Sequence, residues 1–204
     1  MISTTDLGLS PVCEREVLRY MGIRGNATDV ERALISAAAA DVLPALTPRA
    51  CYTVLDVATG GDNVNIGGRT VRSRSLARLL CGATRAVIFA ATVGPSPDRA
   101  VRKFERLSPA TALAADALGS ERVEAACDAL CATLCRDFGA LGYKLTPRFS
   151  PGYGDLPLDF QRDVFDLLSP DRRIGVTLGA GLLMTPTKSV TAILGLLPAT
   201  PANG

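Results

Sequence analysis

The chain has 204 residues, 22 basic and 20 acidic side chains and no histidine, which gives a formal net charge of +2 at neutral pH. With 48% hydrophobic and 21% charged residues it has the composition of a globular protein, and the balance of charge argues against bulk attraction to nucleic acid. The absence of histidine excludes Ser-His-Asp and Cys-His catalytic systems, a histidine general base, and most zinc or non-haem iron sites.

The N-terminal third begins with two predicted helices. A short helix is expected over residues 13–21, where Gly22 ends the pattern. Thr28 followed three residues later by Glu31 has the spacing of a capping box. It introduces an alanine-rich helix that is expected to reach about Leu43.

Strands and a short helix follow. A strand is predicted over residues 51–57, and residues 64–71 form a hairpin around a Gly-Gly pair. A short helix is expected over residues 75–80. The apolar run 86–94 predicts a buried strand, because it has less than half of the roughly 20 residues that a membrane helix requires.

The middle of the chain is predicted to be helical. One helix begins near Pro97, and a long helical stretch runs over residues 108–140, with an interruption or bend expected at Gly119 and Ser120.

Three cysteines recur at every fourth position of this stretch, at Cys127, Cys131 and Cys135, which places them on one helix face. A soft-metal or redox patch is one interpretation. Small apolar core residues are the favoured one, since Leu130 and Leu134 share the stripe. Free thiols and the lack of a signal sequence predict a reducing cytoplasm.

The last third has a different character. Residues 146–157 contain too many prolines and glycines for a helix or central strand, so a loop is expected. A helix is predicted over residues 159–168, and strands over 174–178 and 189–194. A flexible tail is expected over residues 198–204.

The order of these elements predicts an α+β fold with a mixed or antiparallel twisted sheet and flanking helices, since strict strand-helix alternation is missing. One domain over residues 1–204 is expected. Within it, residues 13–57 hold the N-terminal helices and first strand, residues 144–197 hold the loop region, and residues 198–204 form the tail.

The predicted loop contains the strongest candidate site. Arg148 supplies a guanidinium fork, Pro151 stiffens the chain, Gly152 allows close approach of the backbone, and Tyr153 offers a ring. Such a loop can hold a ligand that carries a carboxylate, although a connecting role is the commoner one for this composition.

Two further patterns point less strongly to chemistry. The glycines of residues 175–181 fail the dinucleotide fingerprint, because no strand-helix-strand unit surrounds them. Asp116 and Glu124 lie two turns apart on the long helix, a spacing that is more typical of a solvated face than of a catalytic pair.

The loop Arg148–Asp155 has the sequence Arg-Phe-Ser-Pro-Gly-Tyr-Gly-Asp and is followed by Leu-Pro-Leu. This run resembles the reactivation domain of cobalamin-dependent methionine synthase, and in particular its free-standing versions. The resemblance extends over most of the chain, through residues 174–178, 184–193, 17–22, 48–50 and 90–94.

The resemblance implies an activation-domain-like fold that binds S-adenosylmethionine and docks on a separate cobalamin-carrying methionine synthase. There it supports reductive remethylation of cob(II)alamin, with electrons from a donor such as a flavodoxin-type protein. The residues implied to hold the ligand are Arg148, Ser150, Pro151, Gly152 and Tyr153. No catalytic or metal-binding residue is implied, and the chain is expected to be a component of the methyltransferase without activity of its own.

Two alternatives stay open. Where the family shows a serine or threonine with an acidic residue, this chain has Gly179-Ala180-Gly181. That departure favours a docking protein for a corrinoid methyltransferase that has lost S-adenosylmethionine binding. An independent methyltransferase of the nucleotide-binding fold is disfavoured by the glycine spacing.

Overall fold

In the computed structural model, which describes residues 1–199, an antiparallel sheet runs through the centre of the molecule. The strands are β1 (Ile2–Asp6), β2 (Arg49–Gly60), β3 (Asn63–Ile66), β4 (Arg69–Arg72), β5 (Arg85–Thr92), β6 (Tyr143–Leu145), β7 (Thr177–Leu178), β8 (Met184–Thr185) and β9 (Ser189–Pro198). The helices are α1 (Glu14–Tyr20), α2 (Asp29–Val42), α3 (Arg74–Leu79), α4 (Ser96–Leu107), α5 (Pro109–Gly139), α6 (Phe160–Leu168) and α7 (Pro170–Ile174).

Seven strands form the main sheet in the order β4-β3-β2-β5-β9-β6, with β1 also paired to β2. The long strand β2 pairs with β1 through residues 49–53, with β5 through residues 49–56 and with β3 through its last four residues. β5 lies at the centre because every residue after Arg85 is apolar or a small threonine, and all of them are buried. Every strand pair is antiparallel, so the predicted α+β class is confirmed.

Helices cover both faces of the sheet. On one face α5 packs Cys127, Leu130 and Leu134 against side chains of β5 and β9. On the other face α3 and α6 pack against the alternate side chains of the same strands. The two faces separate cleanly because successive side chains along a strand point to opposite sides: Ala192 of β9 belongs to the α5 side and Ile193 to the α6 side.

A third apolar cluster lies where α1, α2 and α4 surround the N-terminal half of α5. The predicted capping box of α2 is confirmed, since the Thr28 hydroxyl accepts from the Glu31 N–H and the Glu31 carboxylate accepts from the Thr28 N–H. Within residues 1–199, no helix combines the length and apolar character that crossing a membrane requires.

Three expectations are corrected. α5 runs without interruption through Gly119, whose missing side chain makes room for Pro97 of α4. In the strand expected over 174–178, Ile174 is the last residue of α7, Gly175 has a left-handed conformation, and only β7 is a strand. β9 continues through Pro198, which pairs with Tyr143, so the first residue of the expected tail belongs to a strand. Residues 200–204 of that tail lie outside the described part.

Candidate functional site

A cavity of about 410 Å³ opens beside the first residues of β9. β6 pairs only with the far end of β9, and Phe149 then exchanges two backbone hydrogen bonds with Ile193, at 3.0 and 2.8 Å. Along an antiparallel strand, the backbone N–H and C=O groups of successive residues point to opposite edges. The N–H and C=O groups of Ser189 and Thr191 therefore point to the same edge of β9 as those of Ile193. The cavity occupies the place beside this edge where the next strand would lie.

The lining residues come from α5, the loop after β6, α6, the β7–β8 hairpin and β9. They are Glu124, Arg148, Phe149, Ser150, Pro151, Tyr153, Leu158, Gln161, Leu182, Met184, Ser189, Val190 and Thr191.

The loop 148–155 is anchored at both ends. At its start, Phe149 is bonded to β9 as described above. At its end, the Asp155 carboxylate accepts hydrogen bonds from the Ser73 hydroxyl at 2.6 Å, the Arg74 N–H at 2.7 Å and the Ser75 N–H at 3.1 Å. The hydrogen bond from Ser73, together with the backbone N–H groups of Ser75 and Arg74, holds the pKa of Asp155 well below its usual range. The last residue of the loop therefore fixes it to the start of α3.

The guanidinium of Arg148 faces two carboxylates of α5. Its Nη2 lies 3.1 Å from Glu124 Oε2 and 3.0 Å from Asp128 Oδ1, and its side chain is 27% exposed. Both contacts use the same nitrogen, so the N–H groups of Nε and Nη1 are not used by these carboxylates. The cluster combines one positive and two negative groups, which makes this end of the cavity suited to a ligand with both signs of charge.

The cysteine stripe of α5 lies next to this cluster, and its members differ. Cys127 is buried, Cys131 is partly exposed and Cys135 is exposed, so the core interpretation holds fully only for Cys127. Burial raises the pKa of Cys127 to about 12 and that of Cys131 to about 11. Both groups are neutral thiols at physiological pH and therefore poor nucleophiles.

A polar group on the other side of the cavity escaped the sequence analysis. Gln161 of α6 is 3% exposed, and its Oε1 accepts a hydrogen bond from the Thr191 hydroxyl at 2.9 Å. Its Nε2 donates to the Met184 sulfur at 3.2 Å. The signal was in the sequence, because Gln161 lies three and seven residues before Val164 and Leu168 and hence on the apolar face of the helix.

Large apolar side chains surround the mouth of the cavity. Tyr153 is 68% exposed, Leu158 is 45% exposed and Leu183 is 75% exposed. Tyr153 and Leu158 also line the cavity, and Leu183 follows the lining residue Leu182 in the β7–β8 turn. Solvent-exposed apolar groups clustered at one opening are typical of a contact surface.

Four of the five predicted site residues line the cavity: Arg148, Ser150, Pro151 and Tyr153. Gly152 is not among the lining residues. Its φ of +89° allows the turn in which its N–H donates to the Leu156 carbonyl at 2.9 Å.

The two carboxylates considered on α5 have different surroundings. Glu124 lines the cavity, whereas Asp116 pairs with the Lys188 ammonium at 2.7 Å. The interpretation of Asp116 and Glu124 as part of a solvated helix face therefore misses the contact of Glu124 with Arg148.

The fold and cavity together define an α+β domain with an antiparallel sheet. Its pocket lies at the edge of β9, the strand next to last in the sheet order. The same fold occurs in the crystal structure of the MetH reactivation domain bound to AdoHcy, with a TM-score of 0.73 and 15% sequence identity. The match covers 100% of this chain and 81% of that one, and it confirms the predicted activation-domain-like fold. No family model and no curated protein sequence matches the chain.

Proposed function

We propose that this chain is an S-adenosylmethionine-binding reactivation subunit that docks on a separate cobalamin-dependent methionine synthase. The observation that carries the proposal is the cavity beside Arg148, in a fold shared with a reactivation domain that binds AdoHcy. Its volume of about 410 Å³ falls in the range of small-molecule sites.

The charges of the cavity complement those of the ligand. S-adenosylmethionine carries a carboxylate, an ammonium and a sulfonium. The N–H groups of Arg148 Nε and Nη1 suit the carboxylate of the ligand, and the carboxylates of Glu124, which lines the cavity, and of the neighbouring Asp128 suit the two cationic groups. Ser150, Pro151 and Gly152 shape the backbone between the guanidinium and Tyr153, whose ring packs against a flat or cationic group.

The bound sulfonium supplies an activated methyl group. With one electron from a donor such as a flavodoxin-type protein, transfer of that methyl to the partner's cob(II)alamin breaks the carbon–sulfur bond, forms a carbon–cobalt bond and leaves S-adenosylhomocysteine. The residues of this chain orient the ligand and exclude water, tasks that need no general acid or base. A chain without histidine is suited to them.

The cobalamin belongs to the partner in this proposal. The exposed apolar groups at the cavity mouth, Tyr153, Leu158 and Leu183, form a surface against which such a partner can pack while it covers the ligand. The chain itself then acts as a component of the methyltransferase and catalyses nothing alone.

Titration calorimetry with S-adenosylmethionine tests the ligand assignment. We expect saturable binding by the natural chain, and Arg148→Ala weakens it by tenfold or more, because loss of a charged hydrogen bond costs about 1.5 to 3 kcal/mol. Arg136→Ala is the matched control, since Arg136 is exposed on α5 and, among the described residues, its side chain pairs only with its neighbour Asp137 at 3.3 Å. Equal affinities for all three proteins contradict the assignment of Arg148.

A docking protein that has lost the small ligand is the second candidate. It is favoured by the same apolar mouth together with Gly179 and Gly181 of the β7–β8 turn, whose residues 179–183 carry no polar side chain. This candidate predicts capture of the corrinoid partner without any binding of S-adenosylmethionine.

A further inference from the structure

Within residues 1–199, the amide of Gln161 uses only part of its hydrogen-bonding capacity. A primary amide offers two N–H donors and an oxygen with two lone pairs. The Thr191 hydroxyl takes one lone pair, and one N–H points to the thioether of Met184, which is a weak acceptor. One donor and one acceptor remain on a side chain that lines the cavity.

A buried amide with an unused donor and acceptor costs free energy unless a hydrogen-bonding partner is supplied. Gln161 is 97% buried, with 3% of its surface exposed, and a half-satisfied amide loses free energy relative to its hydrated state. A leucine at this position on the apolar face of α6 would pack against the neighbouring Phe160 and Val164 without that cost. The remaining donor and acceptor are therefore available to a ligand in the cavity.

The Gln161 amide lies apart from the charged cluster of Arg148, Glu124 and Asp128. α5, which carries Glu124 and Asp128, covers one face of the sheet, and α6, which carries Gln161, covers the other. The cavity passes around the edge of β9 between them. Around Gln161 the wall is apolar, formed by Leu158, Leu182 and Met184, so this side fits an uncharged ligand part that still forms hydrogen bonds.

We propose that Gln161, oriented by Thr191, binds the uncharged nucleoside part of the ligand and thereby determines specificity for it. The inference rests on the proposed function, which places the amino-acid tail of the same ligand at Arg148. It divides the cavity into a charged side on α5 and a nucleoside side on α6.

Two ligands separate the two sides in a calorimetric experiment. S-adenosylmethionine has both parts, and 5′-methylthioadenosine has the nucleoside without the amino-acid tail. We expect Gln161→Met to weaken both ligands by the same factor, on the order of tenfold for the loss of one or two hydrogen bonds. Arg148→Ala is expected to weaken S-adenosylmethionine only.

Folding of the variant is controlled by a second substitution. In Gln161→Met the Thr191 hydroxyl loses its acceptor, whereas the double variant Gln161→Met/Thr191→Val removes both ends of that bond and preserves the shape of the wall. The double variant is measured with both ligands if the single variant does not fold, and the same losses are expected.

The outcomes distinguish the two proposals. Unchanged affinity of the Gln161 variants for both ligands overturns the inference and leaves the proposed function standing, provided that Arg148→Ala weakens S-adenosylmethionine. A loss confined to S-adenosylmethionine also overturns it, because Gln161 would then act on the tail. If the natural chain binds neither ligand, the proposed function itself is overturned.

Discussion

The Asp155 carboxylate stabilises the site loop through hydrogen bonds that only its ionised form accepts fully. Its pKa in the folded protein lies below the ordinary aspartate value of about 3.9, chiefly because of the hydrogen bond from Ser73. The contribution to stability is therefore complete above that value and is lost as the pH falls below it. We expect Asp155→Asn to lower the melting temperature at pH 7, and the difference from the natural chain to shrink on acidification below about pH 4.

The matched control is Asp56→Asn. Asp56 is exposed on β2, and within residues 1–199 its side chain forms no hydrogen bond or ion pair. Melting followed by circular dichroism between pH 7 and pH 2.5 gives the comparison. A difference between Asp155→Asn and the natural chain that stays constant over this range contradicts the role of the ionised carboxylate.

The sequence identifies the site residues that lie close together along the chain. It misses the contacts between residues that are distant in sequence. Arg148 and Tyr153 belong to one short run whose prolines and glycines mark it as a loop. Thr191 meets Gln161 across 30 positions, and Glu124 meets Arg148 across 24. Those contacts depend on how helices pack on the two faces of the sheet, which periodicity within a single segment does not determine.

At the scale of elements, the same limit applies to α5. A glycine within a helix suggests a bend, and Gly119 and Ser120 were expected to interrupt this one. In the structure a Cβ at position 119 would lie 2.7 Å from the Pro97 Cβ and 3.0 Å from the Lys188 Cγ. The glycine permits close contact between two helices, which is visible only after α4 and α5 are placed.

Gly119→Ala is therefore expected to destabilise the protein, although alanine favours helices by about 1 kcal/mol over glycine. Overpacking typically costs about 1 to 3 kcal/mol, so steric conflict exceeds the gain. Gly139→Ala in the last position of α5 is the control, since within residues 1–199 no atom outside the adjacent backbone of its own helix lies within 4 Å of the added Cβ, and it should be neutral or slightly stabilising. Urea unfolding of both variants measures the difference, and a more stable Gly119→Ala protein contradicts the proposed contact.

Elements with strong local signals agree with prediction, and elements defined by distant pairing do not. The capping box of α2 and the Gly67-Gly68 hairpin are both in place. β1, β6 and β8 have between two and five residues and were not predicted. Such short strands are extended because a neighbouring strand supplies their hydrogen bonds; that neighbour is far away in sequence for β1 and β6, whereas β8 pairs with β7 across a short turn.

At the scale of the whole molecule, the cavity draws its wall from α5, the site loop, α6, the β7–β8 hairpin and β9. These elements meet only in the folded chain, so a ligand bound there has no comparable site in the unfolded chain. Binding must then raise the melting temperature by mass action. The size of that shift distinguishes a ligand-binding subunit from a docking protein that lacks the ligand.

At a free concentration of S-adenosylmethionine one hundred times its dissociation constant, the added stability is about 2.7 kcal/mol. For a chain of this size we expect a rise of about 5 to 11 °C, measured by scanning fluorimetry. Arg148→Ala at the same ligand concentration should show a smaller rise, because its affinity is lower. If the natural chain melts at the same temperature with and without the ligand, yet still captures a cobalamin-carrying methionine synthase, the docking role replaces the ligand-binding role.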